Sequence, residues 1–383
     1  MIFGIPTLSE ADHLVLDLID QQQRQLGHQV GHAPLRWSGL LRRNAFARAI
    51  QGSNSIEGIN ATVDEAAAVI DDDRPDSLAE EAFRAIVGYR NAMTYVLQIH
   101  DDPRFDLNTQ FIKSLHFMIM GHDLAKLPGQ WRPARVLVVH EQTGEVVYEG
   151  PDSELVPPLM ELLVSQVEES GMIHPIVRGA MAHLNLAMIH PFRDGNGRMA
   201  RVLQTVVLAR VGLLAPVLCS IEEWLGRNTG AYYEVLAAVG GGAWAPSRDA
   251  SPWMRFCLKA HYQQAALHLQ RNREMGEMWD LAHELIAKQK LPERTETAIV
   301  AAAFGFSVRN QPYRREHGIS DAAAGRDLKR LCEAGLLVPV GAKRGRFYRA
   351  TDHLRQLRES VRERKLPADP YDLIGQPRLP GIR

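Results

Sequence analysis

From residue 9 to about residue 290 the apolar side chains return at helical intervals, and one stretch alone breaks the pattern. A chain patterned this way has little material for a large sheet and must bury helix faces against one another. The helical runs are 9–27, opened by Ser9-Glu10-Ala11-Asp12, then 39–52, broken at Gly52, then 63–70, 78–98, 108–121 and 153–170. The pattern resumes at 176–190, 198–212 and 222–238 and continues to about 290. Asp71-Asp72-Asp73-Arg74-Pro75 reads as a linker, and Gly240-Gly241-Gly242 as a flexible break. The exception is ARVLVVHEQTGEVVYEG (134–150), where two β-branched runs flank Glu141-Gln142-Thr143-Gly144, the pattern of a hairpin. Lying between helices, it is expected to form a flap. Beyond residue 290 the theme changes: Ser320-Asp321 is predicted to cap a helix over 321–334. GLLVPVGAKRGRFYRA (335–350) then reads as two strands around a basic turn, the order of a winged helix-turn-helix.

Composition excludes several classes. Forty-four Lys and Arg against 45 Asp and Glu leave no global field for nucleic acid or a membrane surface. Cys219, Cys257 and Cys332 are far apart among apolar residues and read as buried thiols. The first residues lack the basic start and apolar core of a signal peptide, and no apolar run approaches the length of a spanning helix. A cytoplasmic protein without a membrane partner is expected.

The chemistry concentrates in IHPFRDGNGRMAR, residues 189–201. Met181, Leu184, Met188 and Ile189 carry one helix up to His190, where Pro191 disfavours further helical geometry. Phe192 is expected to turn inward and anchor the loop. Gly195-Asn196-Gly197 lets successive backbone N–H groups converge without Cβ obstruction, and a second helix starts there, so its free N–H groups form an anion site. Arg198 and Arg201 add guanidinium forks suited to phosphate oxygens. Asp194 is the hard carboxylate for a Mg²⁺ accompanying a polyphosphate. His190 is left to accept a proton from an attacking hydroxyl. These roles describe phosphoryl or nucleotidyl transfer. The same residues also suit a tight turn between helices, with His190 as a cap and the arginines solvated.

HPFRDGNGRMAR (190–201) resembles the complete signature of the Fic (filamentation induced by cAMP) domain family, HPFx[D/E]GNGRxxR. The run before it, HPIVRGAMAHLNLAMI, and the hairpin at 134–149 support the likeness, the hairpin standing where the family has its target-binding flap. The resemblance implies a mainly α fold: a Fic-type helical catalytic domain with a β-hairpin flap, plus a C-terminal winged-helix-like α+β module. The implied division is an N-terminal helical region (1–110), the catalytic domain (111–290), the winged-helix-like module (291–365) and a tail (366–383). It further implies transfer of AMP from ATP to a Ser, Thr or Tyr hydroxyl of a target protein. His190 then resembles the base, Asp194 the Mg²⁺ ligand, Gly195, Asn196 and Gly197 the phosphate cradle, and Arg198 a contact to the β-phosphate region. Asn228 and Tyr232, in GRNTGAYYEVL, resemble a later helix lining the nucleotide pocket.

SNSIEG (53–58) matches the family's inhibitory pattern [S/T]xxxE[G/N]. The resemblance implies that Ser53 and Glu57 are regulatory, with Glu57 pairing with Arg201 in the space of the γ-phosphate. Physically, a carboxylate there replaces one phosphate as the arginine's partner and repels the rest of the triphosphate. Some members with this glutamate also remove AMP from modified protein, so a Fic-type phosphodiesterase stands as an alternative. A third reading is a DNA-binding regulator with a ligand-sensing Fic-like domain. For DNA, Arg326, Lys329 and Arg330 on the last helix would act with Lys343, Arg344 and Arg346 on the wing; the same face also suits a protein. Partners are therefore expected at the flap, with self-modification and a homodimer as further expectations.

Overall fold

The computed structural model describes residues 1–32, 35–139, 144–169, 172–210, 212, 216–342 and 346–374. The described residues are mainly helical, with two short hairpins. The N-terminal half runs α1 (Glu10–His32), α2 (Leu35–Ile56), α3 (Val63–Ile70), α4 (Glu80–Ile99) and α5 (Thr109–Met120). An antiparallel hairpin follows, β1 (Leu137–Val139) and β2 (Val146–Glu149), then α6 (Val156–Glu169), α7 (Pro175–Ile189) and α8 (Asn196–Ala209). The remainder is α9 (Pro216–Cys219), α10 (Glu222–Arg227), α11 (Thr229–Gly240), α12 (Ser251–Gln289), α13 (Glu296–Ala303), α14 (Asn310–His317) and α15 (Asp321–Glu333). A second hairpin, β3 (Leu337–Val340) and β4 (Phe347–Ala350), leads to α16 (Asp352–Ser360) and α17 (Pro370–Ile374). Among the described residues, no helix is long and apolar enough to cross a membrane.

Local chemistry accounts for the boundaries. Thr62 and Glu65 form a capping box at the start of α3, and Asn108 caps α5. Pro175 opens α7, and α7 ends where His190 takes a left-handed conformation (φ 50°, ψ 57°). Ser320 accepts from the Ala323 N–H and starts α15 as expected.

Three sequence expectations need correction. Helix α2 does not break at Gly52 but runs on to Ile56, because Gly52 is where α2 crosses α10. A Cβ at Gly52 would fall 2.5 Å from the Glu222 carbonyl oxygen, and one at Gly226 would fall 2.7 Å from the Gly52 Cα. The glycine thus serves a close helix crossing, and Ser53 rides on the last turns of α2. The segment 222–238 is two helices, interrupted at Asn228. The Asp71–Pro75 segment is a turn held in place: Arg43, Arg90 and Arg309 form ion pairs with Asp71, Asp72 and Asp73.

One continuous apolar core runs from Phe3 to Leu354. The 39-residue α12 is its spine: Trp253 near its start donates to the Ala180 carbonyl of α7, and its far end reaches the C-terminal helices. The C-terminal unit packs directly on the N-terminal helices. Phe306 joins Ala47 and Ala67 in a small apolar cluster, and Ser307 donates its N–H and hydroxyl to Asp64, each over 2.6 Å. In that unit α14 and α15 precede the β3–β4 hairpin, and Val308 pairs with Tyr348 as a short third edge. The expected wing residues Lys343 and Arg344 and the turn residues Glu141, Gln142 and Thr143 lie outside the described residues, as does the tail beyond residue 374.

Candidate active site

Helices α7 and α8 present the 190–195 loop between them, and the loop is held from all sides. Phe192 is fully buried, stacked on His116 at a centroid distance of 3.7 Å and tilted against Trp131 at 5.0 Å. The Asn196 side chain closes the loop on itself: its Oδ1 accepts from the Phe192 N–H and its Nδ2 donates to the Phe192 carbonyl, both over 2.9 Å. The Asn196 amide is thus spent on loop shape, and its backbone N–H is what remains for an anion. Gly195 sits at φ 77° and turns the chain into α8. The leading N–H groups of α8 have no carbonyl one turn back, which leaves them for a ligand.

His190 stands at the rim. Its Nδ1 is 3.2 Å from the Ala187 carbonyl, which can only accept, so Nδ1 carries the proton and Nε2 the lone pair. Burial lowers the His190 pKa below its ordinary value, against the Ala187 carbonyl, which raises it. The imidazole is therefore neutral near pH 7, as a base requires.

Asp194 accepts from the Gly195 N–H over 2.6 Å and from Lys126 Nζ over 2.8 Å. Burial would raise its pKa, but the Lys126 hydrogen bond and the Gly195 N–H outweigh this and hold it below the ordinary carboxylate value. An ionised carboxylate at the loop mouth, already facing a cation, is chemically suited to Mg²⁺; Lys126 would have to withdraw.

The two arginines of α8 differ in how far they are engaged, although Arg201 too keeps a buried Nη1 without a hydrogen-bond partner. Arg201, 1% exposed, donates Nε to the Ser53 hydroxyl (2.7 Å) and Nη2 to the Ser53 carbonyl (3.0 Å) and Glu57 Oε1 (2.6 Å). Burial opposes its charge, and the Glu57 carboxylate overrides this and raises its pKa. Arg198, 5% exposed, touches Met120 Sδ through Nη2, while its Nε and Nη1 are buried without a hydrogen-bond partner. The Glu57 carboxylate lies directly over the first turn of α8: a Cβ at Gly197 would fall 2.6 Å from Glu57 Oε1. The exposed Tyr233 donates its hydroxyl to the Ile56 carbonyl and steadies the same turn.

The structure thus brings together His190, Asp194, Gly195, Asn196, Gly197, Arg198, Arg201, Ser53 and Glu57. Asn228 lies at the junction of α10 and α11, and Tyr232 on α11. The Asn228 side chain donates to the Trp224 carbonyl at the α10–α11 junction. Tyr232 is 1% exposed, its hydroxyl 3.0 Å from His183 Nε2. It lies beneath Arg201, in the core.

Several supporting residues carry no signal in the sequence. His116 accepts from the Gly129 N–H at Nδ1 (2.8 Å), so its Nε2–H donates to the Asp194 carbonyl (3.0 Å). Burial pushes its pKa down to about 4, keeping it neutral. Arg132 is buried and donates to the carbonyls of His190 (2.8 Å), Ala134 (2.8 Å) and Pro151 (2.5 Å). It ties the His190 end of α7 to both ends of the hairpin. Behind Arg201, Tyr89 donates to Glu222 over 2.5 Å, and burial pushes Glu222 up to about 7.

The hairpin pairs Leu137 with Glu149, Val138 with Tyr148 and Val139 with Val146. Its base is fixed by the Tyr148 hydroxyl on the Met188 carbonyl (2.8 Å) and by Glu149, which exchanges backbone hydrogen bonds with Gly242 and Trp244. Its outer part is exposed at Leu137, Val139, Val146 and Val147.

Comparison with known proteins agrees with this architecture. Residues 106–208 match the model of the Fic/DOC family. The chain is 27% identical over 269 residues to the Protein adenylyltransferase Fic of Nematostella vectensis, covering 67% of this chain and 56% of that protein. It is 30% identical over 237 residues to the Drosophila yakuba protein of the same name, covering 61% and 44%. The chain thus spans about half the length of the curated relatives it matches. Among solved structures, a Fic family protein from Desulfovibrio desulfuricans G20 superposes with a TM-score of 0.56 at 23% identity, covering 91% of this chain and 99% of that one. A Fic domain containing signaling protein from Bacteroides thetaiotaomicron gives 0.55 at 20% identity, covering 66% and 96%. The fold is that of the Fic proteins.

Proposed function

We propose that this chain is an autoinhibited protein adenylyltransferase, moving AMP from ATP to a hydroxyl side chain of a target protein. The observation that carries the reading is the pairing of a neutral His190, its Nε2 lone pair free, with a buried Arg198 whose Nε and Nη1 have no protein partner. A buried guanidinium left unsatisfied is costly unless an anion completes it, and a phosphate beside the α8 N-terminus would do so.

The target hydroxyl would give its proton to His190 Nε2 as its oxygen attacks the α-phosphorus. The bond from that phosphorus to the bridging oxygen breaks, and pyrophosphate leaves. The N–H groups of α8 and Arg198 bind the phosphate oxygens and offset the charge of the leaving group. Asp194 would hold Mg²⁺, which supplies further neutralisation of the phosphates. A target segment would add to the free edge of β1 and so be held in register beside His190. Arg132 links that flap to the His190 carbonyl, so docking and base are mechanically joined.

Support for autoinhibition comes from the Glu57–Arg201 ion pair. With Glu57 over Gly197, a triphosphate would meet a carboxylate where a phosphate should lie, and Nε and Nη2 of Arg201 are already engaged, leaving only its buried Nη1. The Glu57 charge also acts on His190, which supports removal of AMP as the second reading: a carboxylate near the base can hold a water for attack on the phosphodiester. Self-modification, a homodimer, a cytoplasmic location and DNA binding through Arg326, Lys329, Arg330 and Arg346 remain parts of the same proposal. Arg330 is engaged with the Lys290 carbonyl and Lys329 with Glu333, which leaves Arg326 and Arg346, both exposed, as the stronger candidates.

The deciding assay incubates wild type, Glu57→Gly and Glu57→Gly/His190→Ala with Mg²⁺ and α-labelled ATP, with and without cell extract. Label on protein in the Glu57→Gly lane alone supports both transfer and inhibition. Absence of label in every lane, with Mg–ATP still bound, overturns transfer and makes removal of AMP the next assay.

A further inference from the structure

A cavity of about 650 Å³ opens between α2, α10, α12, α13 and the segment after α16, and it shares no residue with the loop at 190–201 or with Ser53 and Glu57. Seven cationic side chains and three carboxylates line it. The cations come from separate elements: Arg48 from α2, Arg227 from α10, Arg271 from α12, Arg358 from α16, and Arg364 and Lys365 from the segment beyond.

The carboxylates are already committed. Glu274 receives Arg358 and the Glu363 N–H, Glu359 receives Arg362, and Glu363 is held by Arg273. Behind the wall, Glu223 alone serves three guanidiniums: Arg271 in bidentate fashion (2.5 and 2.6 Å), Arg227 (2.5 Å) and, more distantly, Arg48 (3.7 Å). Even counting Glu223, the cavity keeps three positive charges in excess. Arg358 Nη1 is buried with no hydrogen-bond partner. Burial and the neighbouring Arg271 push Arg48 down to about 10, the mark of a guanidinium crowded by like charge.

We propose that this cavity binds a small polyanion carrying two or more phosphate groups. Its volume falls within the range of small-molecule sites. Guanidinium forks arriving from four helices suit several tetrahedral anions better than one carboxylate. A ligand there relieves the crowding around Glu223 and ties the C-terminal unit to α2. Arg48 precedes Ser53 by five residues, roughly 140° around the helix, so the cavity and the inhibitory contact use different faces of one rod. The binding claim stands whether or not the chain transfers AMP.

The test is calorimetric titration of the full chain with inorganic tripolyphosphate, without nucleotide or metal. The Arg198→Ala chain, whose loop site is weakened, is expected to keep one binding event. The Arg364→Glu/Lys365→Glu chain, altered at two exposed positions, is expected to keep its Tm and to bind about tenfold or more weakly. Equal affinity in the Arg364→Glu/Lys365→Glu chain and wild type would overturn the proposal. So would heat of binding from a short DNA duplex with none from tripolyphosphate.

Discussion

The 190–201 loop and the hairpin beside it are built on opposite terms. In the loop, Phe192, Asn196, Arg198 and Arg201 are at most 5% exposed, and side chains from α5, α2 and the 131–132 segment fix its shape. The hairpin is pinned at its base by Tyr148 and Glu149, while Leu137, Val139 and Val146 stay about half exposed. Reacting groups need placement within a fraction of an ångström, and only a packed shell supplies that. A strand edge that accepts another chain must instead keep its backbone groups accessible, so it cannot be packed away.

The largest test of that contrast is His190→Ala in a Glu57→Gly background, expected to lower transfer by roughly 10²–10⁴-fold. Labelled AMP on protein measures it, and an undiminished rate would remove His190 as the base. Next is Glu57→Gly itself, expected to raise labelling by about tenfold or more by removing a carboxylate from the path of the triphosphate. Replacement of Arg132 by Met probes the join between the two regions. Four carbonyls, those of His190, Ala134, Pro151 and Ile189, lose their donor, at roughly 3 kcal/mol of stability by urea unfolding. The kcat should fall more than ATP binding; an unchanged kcat would show that flap and base are uncoupled.

Gly52→Ala forces a Cβ against the Glu222 carbonyl, costing about 1–3 kcal/mol. It should partly release Glu57 and so raise labelling, though less than Glu57→Gly does. Val147→Asp on the flap is expected to change stability by no more than about 0.5 kcal/mol while lowering target labelling. A pH series on the Glu57→Gly chain sharpens the role of His190. Only the neutral imidazole accepts a proton, and burial lowers its pKa, so the rate should hold through neutrality and fall only below about 6.5.

Much of the local plan was legible before any coordinates. The helical runs, both hairpins, the Ser320 cap and the stop at His190-Pro191 follow from spacing, capping residues and backbone preferences, which act over a few residues. Gly52 misled because a glycine that breaks a helix and one that admits a neighbouring helix look alike in one dimension. The aspartate run at 71–73 misled because its arginine partners lie up to 236 positions away, at Arg309. Tyr232 at helical spacing fitted a pocket wall or a core, and the fold places it beneath Arg201.

By itself the sequence determined a helix that stops at an imidazole, a glycine-bounded nest and a second helix starting with arginines, because each depends on neighbours within one turn. Tertiary structure alone decided which arginine is occupied. Arg201 hydrogen-bonds Glu57 across 144 positions, and Arg198, one turn earlier, hydrogen-bonds a methionine sulfur. The physical reason is that guanidinium pairing is settled by which helix packs over it, and α2 crosses α10 where Gly52 lets two backbones touch. That crossing delivers Ser53 and Glu57 to Arg201, while Nε and Nη1 of Arg198 have no protein partner.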